Sequence, residues 1–360
     1  MNDERVTIAL AGNANVGKSV IFNHLTGLHQ HIGNWPGKTI EKAEGTLYFK
    51  GRTIDIIDLP GIYSLSTFSL EELITREYIA KEQPDLVINV VDASVLERNL
   101  FFTLQLIELE TPMIIALNQM DIAKRKGVEI DHKKLAAVLG VPVIPTVAPK
   151  RTGIYELLET AATAIEEKPA PLTTIRYGEE IEEKIQELAK EVQKFSLPYP
   201  PRWTAIKLFE GDDQVLSEIQ KLGPLILSKI RKAVLDIEGI HGHACPTVIT
   251  SARYEAAGCV ARDVQQIVPL KKPPKRERLH TITTHNVLGY LIMIGVLLFV
   301  FVGIFTFGDG VSSVLSGVFA LIGQGFWTTF GTGPLETLVW GGVFEGLIAG
   351  VTIVLPYLFP

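Results

Sequence analysis

Gly12, Gly17, Lys18 and Ser19 stand in the spacing G-x-x-x-x-G-K-S/T at the end of the apolar run Val6 to Ala11. A glycine-rich turn leading from a strand into a helix points backbone N–H groups at phosphate oxygens, here those of Asn13 to Lys18, with Val20 following on the helix. Lys18 would neutralise charge on the β- and γ-phosphates, and the Ser19 hydroxyl is a hard ligand suited to Mg2+. A lone loop of this kind recurs by chance, so the motifs that follow it decide the reading. Ile54 to Ile57 lead into Asp58-Leu59-Pro60-Gly61, a D-x-x-G at a strand end. There Asp58 can hold Mg2+ through water, and Gly61 can bring its amide close to the γ-phosphate because it lacks a Cβ.

Met113 to Leu117 lead into Asn118-Gln119-Met120-Asp121, an N-x-x-D motif. Asp121 would accept both N1–H and N2–H of guanine, a charge-assisted pairing that adenine cannot offer. Between the first two motifs, the stretch Asn34 to Thr39 supplies a hydroxyl, and Thr39 is expected to ligate Mg2+ beside Ser19. The backbone amide of Ala148, after Thr146-Val147, is expected to meet guanine O6. Three departures are informative. Ile62 follows Gly61 where many guanine-nucleotide switches carry a Gln that orients the attacking water. Hydrolysis is therefore expected to be slow, or to rely on a backbone group, a bound cation or another protein. Gln119 replaces the common Lys that packs on the base, so affinity is expected to be modest. Val147 stands where Ser is usual, a change that a backbone contact tolerates.

These residues need rigid strand ends to hold them. Residues 1–167 alternate strand-like and helix-like segments, the pattern of a doubly wound α/β parallel sheet with nucleotide at the strands' C-terminal edge. After Lys168-Pro169-Ala170-Pro171 the pattern changes, and residues 168–270 read as a small all-α domain. Ile181, Ile185, Leu188, Val192 and Phe195 recur at amphipathic helix spacing, with further helical stretches near 213–222, 224–237 and 247–267. All 34 Lys and Arg lie at or before Arg278, whereas residues 279–360 carry only Asp309, Glu336 and Glu345 as formal charges. A soluble surface of that size needs far more charge.

Val287 to Phe307 give an uncharged run long enough to cross a ~30 Å hydrocarbon core as a helix. Residues 338–359 make a second candidate span containing Glu345, and an intramembrane carboxylate is functional by default. The intervening Val311 to Phe330, rich in Ser, Gly and Thr, is expected at the far interface rather than across the membrane. The basic stretch Lys271 to Arg278 opens a juxtamembrane linker over residues 271–286 and places the N-terminal portion in the cytoplasm. No apolar leader precedes the first strand, so no cleaved secretory signal is expected. Cys245 and Cys259 cannot build a disulfide framework. His241, His243 and Cys245 crowd one short loop, but no second matched ligand pair accompanies them, and an ordinary loop is the preferred reading. A net charge of −6 with no other basic block argues against nucleic acid as a partner.

Together these motifs resemble the ferrous iron transport protein B (FeoB) family over nearly the whole chain. The resemblance is carried by the phosphate loop, Asn34-Trp35-Pro36-Gly37 before Thr39, Asp58 to Leu65, Trp203 to Asp212, and Glu345 to Val351. It implies a membrane-anchored GTPase, multi-pass in the cell membrane, whose GTP/GDP state gates or drives Fe2+ uptake, and a small accessory cytosolic protein as partner. It also implies that Asn15 coordinates K+, helped by switch I carbonyls around Gly33 to Trp35, which would replace the missing Gln electrostatically. The catalytic set is then Lys18, Thr39, Gly61 and Asn15. The helical domain would pass the nucleotide state to the membrane. Glu345 departs mildly from the family's more common Asp. Family members continue through many more helices, so the remaining permease segments are expected outside this chain. Gly341, Gly342 and Gly346 permit helix packing and homo-oligomer formation. Two alternatives stay open: a membrane-tethered signalling or assembly GTPase that transports nothing, and a transporter of another divalent metal such as Mn2+.

Overall fold

The computed structural model describes residues 5–27, 30–65, 69–167, 176–221, 223–268, 282–285 and 287–358. The chain divides into two compact units, residues 1–270 and 271–360. In the first, a seven-stranded sheet has the order β2-β3-β4-β1-β5-β6-β8. β1 (Arg5–Gly12) lies parallel between β4 (Arg52–Asp58) and β5 (Leu86–Asp92), and β6 (Met113–Asn118) and β8 (Val143–Pro145) continue the parallel run. β5 and β6 are almost wholly buried and read as near-continuous apolar runs, as parallel strands covered on both faces must. Because these strands are parallel, the phosphate loop, Asp58, Asp92 and Asn118 all emerge at one edge.

The parallel run stops at β4, and the sheet's other side is antiparallel. β2 (Gln30–Asn34) and β3 (Glu41–Phe49) are antiparallel to their neighbours. Their connections are too short for a crossover, which needs a dozen or more residues. Lys50 and Gly51, both at positive φ (49° and 81°), make the tight turn into β4, as two-residue hairpins demand.

Strand alternation sorts the side chains into two layers. Ile8, Leu10, Ile56, Ile88 and Ile114 meet α1 (Lys18–Thr26) and α6 (Ile154–Glu167) on one face. Ala9, Ala11, Val87, Val91, Ile115 and Leu117 belong to the other core, which takes in α2 (Leu70–Glu77), α3 (Leu96–Glu108), α4 (Met120–Arg125) and α5 (His132–Leu139). That second core runs without a break into the helical part: α7 (Glu179–Val192), α8 (Pro201–Phe209), α9 (Asp213–Gln220), α10 (Pro224–His241) and α11 (Cys245–Val264). Ile181, Ile185, Leu188 and Val192 are buried, as their spacing required.

Buried ion pairs join the two parts. Arg253 on α11 donates to both carboxylate oxygens of Glu108 on α3 at 3.0 Å and also binds Glu210. Arg76 at the end of α2, fully buried, donates to Asp212 at 2.6 Å and to Gln214. One sequence expectation fails here. The helix expected to reach residue 267 ends at Val264, and β9 (Gln265–Ile267) pairs antiparallel with β7 (Val128–Ile130). Backbone bonds from Asp131 N–H to the Val264 carbonyl (2.9 Å) and from Val268 N–H to the Gly127 carbonyl (2.7 Å) extend the tie. The helical part is thus not purely helical, because its last strand is completed by the nucleotide-binding part.

The second unit contains α12 (Leu288–Phe330), a single helix of 43 residues. At about 1.5 Å per residue it is roughly 64 Å long, about twice a hydrocarbon core. The separate interfacial segment expected at 311–330 is therefore continuous with the first span. No Pro interrupts the run, and a helix satisfies its own backbone groups in an apolar setting. α13 (Pro334–Val339), a π-helical turn at Trp340–Phe344 and α14 (Glu345–Leu358) follow it, and α14 packs against α12. Gly323 admits the Trp340 ring, since a Cβ there would lie 2.8 Å from the indole. Leu288–Phe330 and Pro334–Val354 are long and apolar enough to cross a membrane. The basic cluster at 271–278 and the last residue of the expected second span, 359, lie outside the described residues.

Candidate nucleotide-binding site

The loop from β1 to α1 is shaped by contacts that only certain residues allow. Gly12 (φ 149°) passes so close to β5 that a Cβ would sit 2.5 Å from the Val90 carbonyl oxygen, and at Gly17 (φ 93°) one would sit 2.4 Å from Asn118 Nδ2. Both glycines are thus required by packing as well as by conformation. Asn15 holds a left-handed backbone (φ 65°) at the loop apex. Its side chain is exposed, as are Ser19 and Val20 in the first turn of α1, whereas Asn13 is buried.

Asn118 ties the site together. Its Nδ2 donates to the Val16 carbonyl (2.8 Å), and its Oδ1 accepts from the Ala148 N–H (3.0 Å) and the Thr146 hydroxyl (3.3 Å). One buried carboxamide therefore fixes the phosphate loop against the 146–148 loop. The Ala148 amide, expected to face guanine O6, spends its hydrogen on Asn118; reading the base requires sharing or leaving that acceptor. Beside it Gln119 donates Nε2–H to the Asn15 carbonyl at 3.2 Å. Asp121 is partly exposed, within 3.3 Å of Lys150 and 3.7 Å of Arg125.

At the phosphate end, Lys18 Nζ and Asp58 Oδ1 meet at 2.5 Å. Burial pushes the Asp58 carboxyl above its usual range, and the Lys18 charge opposes that push. The D-x-x-G segment continues β4 along the phosphate loop: Leu59 N–H donates to the Leu10 carbonyl (3.0 Å) and Ile62 N–H to that of Gly12 (3.3 Å). Gly61 lies over Ala14, where a Cβ would come within 3.1 Å of Ala14 Cα. Ile62 is buried in the core with Leu59 and Leu65, so its aliphatic side chain is a packing element. Gln105, on the buried face of α3, accepts the Leu65 N–H at 2.6 Å and anchors the segment 58–65, switch II, at its far end. Sequence reasoning missed Gln105, which is one of several polar residues on the buried side of α3, with Asn99, Thr103 and Glu108.

Switch I takes a different position from the one expected. Gly33 and Asn34 pair with Lys42 and Glu41 in edge strand β2. The Trp35 carbonyl accepts the Lys38 N–H (2.9 Å), and the Trp35 N–H donates to the Ile40 carbonyl (2.9 Å). The carbonyls expected to help hold K+ are thus laid out in a hairpin, because Trp35 is buried edge-on against Tyr78, 5.4 Å between ring centres. Thr39 is exposed on that hairpin's tip, and among the described residues no hydrogen bond ties it to Ser19 or Asp58. Further along the chain, Cys245 is buried at the start of α11 and its thiol is pushed up to about 12 by that burial. His241 lies 3.8 Å from Glu180.

Residues 6–161 match the family model for ferrous iron transport protein B, and residues 177–266 match that for the FeoB cytosolic helical domain. A GDP-bound variant of the S. thermophilus FeoB G-domain superposes with a TM-score of 0.69 at 36% identity, covering 72% of this chain and 100% of that one. The chain belongs to the FeoB family. A FeoA/FeoB fusion protein from Porphyromonas gingivalis is 36% identical over 99% of this chain and 43% of its own length. The Fe(2+) transporter FeoB of Escherichia coli is 33% identical over 98% of this chain and 45% of its own length. The chain thus spans less than half the length of these FeoB relatives. The helical-domain match ends inside β9, so the strand that returns to the G domain belongs to the FeoB helical domain.

Proposed function

We propose that this chain is the GTP-hydrolysing, membrane-anchored portion of a ferrous iron uptake system in the cell membrane, with its G domain in the cytoplasm. The observation that carries this reading is the Asn118 junction, which holds the phosphate loop and the 146–148 loop in one rigid frame beside Asp121. That frame suits a guanine base, with Asp121 as the reader of N1–H and N2–H. Gly12, Asn13, Gly17, Lys18, Ser19 and Val20 line the phosphate end.

The donor set around Lys18 fits Mg2+: the hydroxyls of Ser19 and Thr39 and the carboxylate of Asp58 are all hard oxygen ligands. When bound, Mg2+ supplies charge neutralisation between the β- and γ-phosphates. Lys18 would leave Asp58 for the phosphates, and the Gly61 N–H would donate to the γ-phosphate. Thr39 would have to leave its exposed hairpin tip to join the set. Ile62 offers no polar group to the attacking water, so hydrolysis to GDP and phosphate is slow without help. The exposed Asn15 carboxamide suits K+, and the Trp35 carbonyl, which accepts the Lys38 N–H, keeps a second lone pair for it.

Fe2+ is the transported substrate in this reading, moved by the whole transporter of which this chain is a part. The fused FeoA partner of the Porphyromonas gingivalis relative supports a small cytosolic accessory protein. The test is GTP hydrolysis with K+ exchanged for Na+, alongside Asn15→Ala and Lys18→Ala. Slow, K+-stimulated turnover that loses its K+ response in Asn15→Ala and disappears in Lys18→Ala is expected. Full nucleotide affinity in Lys18→Ala would overturn the site.

A further inference from the structure

We infer that Gln119 is a positioning residue for Asn15, holding the loop apex in the geometry that a monovalent cation requires; this rests on the cation role proposed above for Asn15. Gln119 stands in the second place of the guanine motif, and its Nε2 reaches across 104 positions of sequence to the Asn15 carbonyl at 3.2 Å. The contact is one of three on a short arc. Asn118 binds the carbonyl of Val16, and Gly17 presses against the same Asn118 carboxamide with no room for a Cβ. Two successive carboxamides from the guanine motif therefore grip two successive carbonyls of the phosphate loop.

The left-handed backbone on the other side of the contact is the one that surroundings must impose: Gln119 holds a φ of 61°, whereas Asn15, at 65°, is of a residue type that tolerates this region. With its backbone carbonyl held from behind, Asn15 keeps its exposed side chain directed outward. Among the described residues that carboxamide has no hydrogen-bond partner, so its oxygen is available to a cation. A side chain that coordinates a weakly bound ion contributes only if it is ordered beforehand, since ordering it at the moment of binding costs affinity. Gln119 performs that ordering, and it does so from the motif that reads the base, which couples base recognition to cation binding through one hydrogen bond.

The test uses the full chain in detergent and compares Gln119→Met, which keeps the apolar stem and removes the donor, with Gln119→Asn, which keeps the polarity and loses the reach. Two quantities are read: the K+ concentration giving half-maximal stimulation of GTP hydrolysis, and the affinity for a fluorescent GDP in Na+. Loss of one hydrogen bond predicts a rise of about three- to tenfold in half-maximal K+ for both variants. Half-maximal K+ should rise by a larger factor than GDP affinity in Na+ falls, the split that separates positioning from general loosening. An unchanged K+ requirement in both variants, beside a K+-stimulated parent, overturns the inference and leaves the cation site standing. Weakened GDP binding with an unchanged K+ requirement also overturns it, by showing that Gln119 serves the base. A parent indifferent to K+ removes the cation site itself, and the inference falls with it.

Discussion

Asn118→Ala is the substitution that most directly probes the nucleotide frame. The side chain is almost fully buried and makes three hydrogen bonds, to Val16, Ala148 and Thr146. Each buried bond contributes about 0.5–1.5 kcal/mol net, and an amide left unpaired costs about 1–3 kcal/mol. The Ala148 N–H is the group stranded by truncation, because Ala148 is fully buried. The combined destabilisation is about 2–4 kcal/mol. Since the loops it joins are the two proposed to hold phosphate and base, GDP affinity should fall by about 10- to 100-fold, as about 1.4 kcal/mol of lost preorganisation weakens binding tenfold. Urea unfolding of residues 1–270, which form a compact unit with their own core, measures the first quantity. Titration with a fluorescent GDP measures the second. Asn118→Asp keeps the acceptor for Ala148 but sets a carboxylate against the Val16 carbonyl, so it should bind no better than the alanine variant. Wild-type GDP affinity in a folded Asn118→Ala protein would refute the idea that this junction organises the site.

Gly61→Ala places a Cβ 3.1 Å from the Ala14 backbone, so switch II should be displaced and hydrolysis reduced at least tenfold while GDP affinity changes little; steady-state turnover and GDP titration check this. Asp121→Asn should shift preference from GTP toward xanthosine triphosphate, read by competition binding, and an unshifted preference would mean that guanine is read elsewhere. Arg253→Ala leaves the Glu108 carboxylate without its cation in the core and Glu210 with Lys207 alone, a loss of about 3–5 kcal/mol in urea unfolding of residues 1–270. Burial would raise the Glu210 carboxyl, but Lys207 and Arg253 outweigh it and hold it at about 2, below its ordinary 4.5. Its folded value lies below the unfolded one, so its contribution is complete above about pH 5 and lost as pH falls toward 2. Glu210→Gln should flatten that part of the stability curve, and an unaltered acid limb would count against the pairing.

The nucleotide chemistry was legible because each motif is local. The 12–19 loop, Asp58 to Gly61 and Asn118 to Asp121 each need only a few consecutive residues after an apolar strand, and parallel pairing brings their ends to one edge. Amphipathic spacing located α7 for the same reason. The apolar, charge-poor character of the C-terminal part was equally plain, since charge is counted along the chain.

Contacts between distant residues were not legible. Nothing near Gln105 announces that it will hold Leu65, and nothing near Arg253 announces Glu108, 145 positions away. Residues 265–267 form a strand only because β7 stands ready to pair with them, which overrides their place at the end of a helical pattern. Continuity of α12 through residues 311–330 reflects a backbone that satisfies itself where a Ser-, Gly- and Thr-rich composition suggested a separate interfacial segment. Sequence alone determined which groups are the candidates to meet the nucleotide, because that chemistry depends on residue type and short spacing. Tertiary structure alone decided how those groups are held, with Asn118 and Gln119 gripping the phosphate loop and Trp35 seated against Tyr78, because packing and hydrogen bonding act across space between residues far apart in sequence.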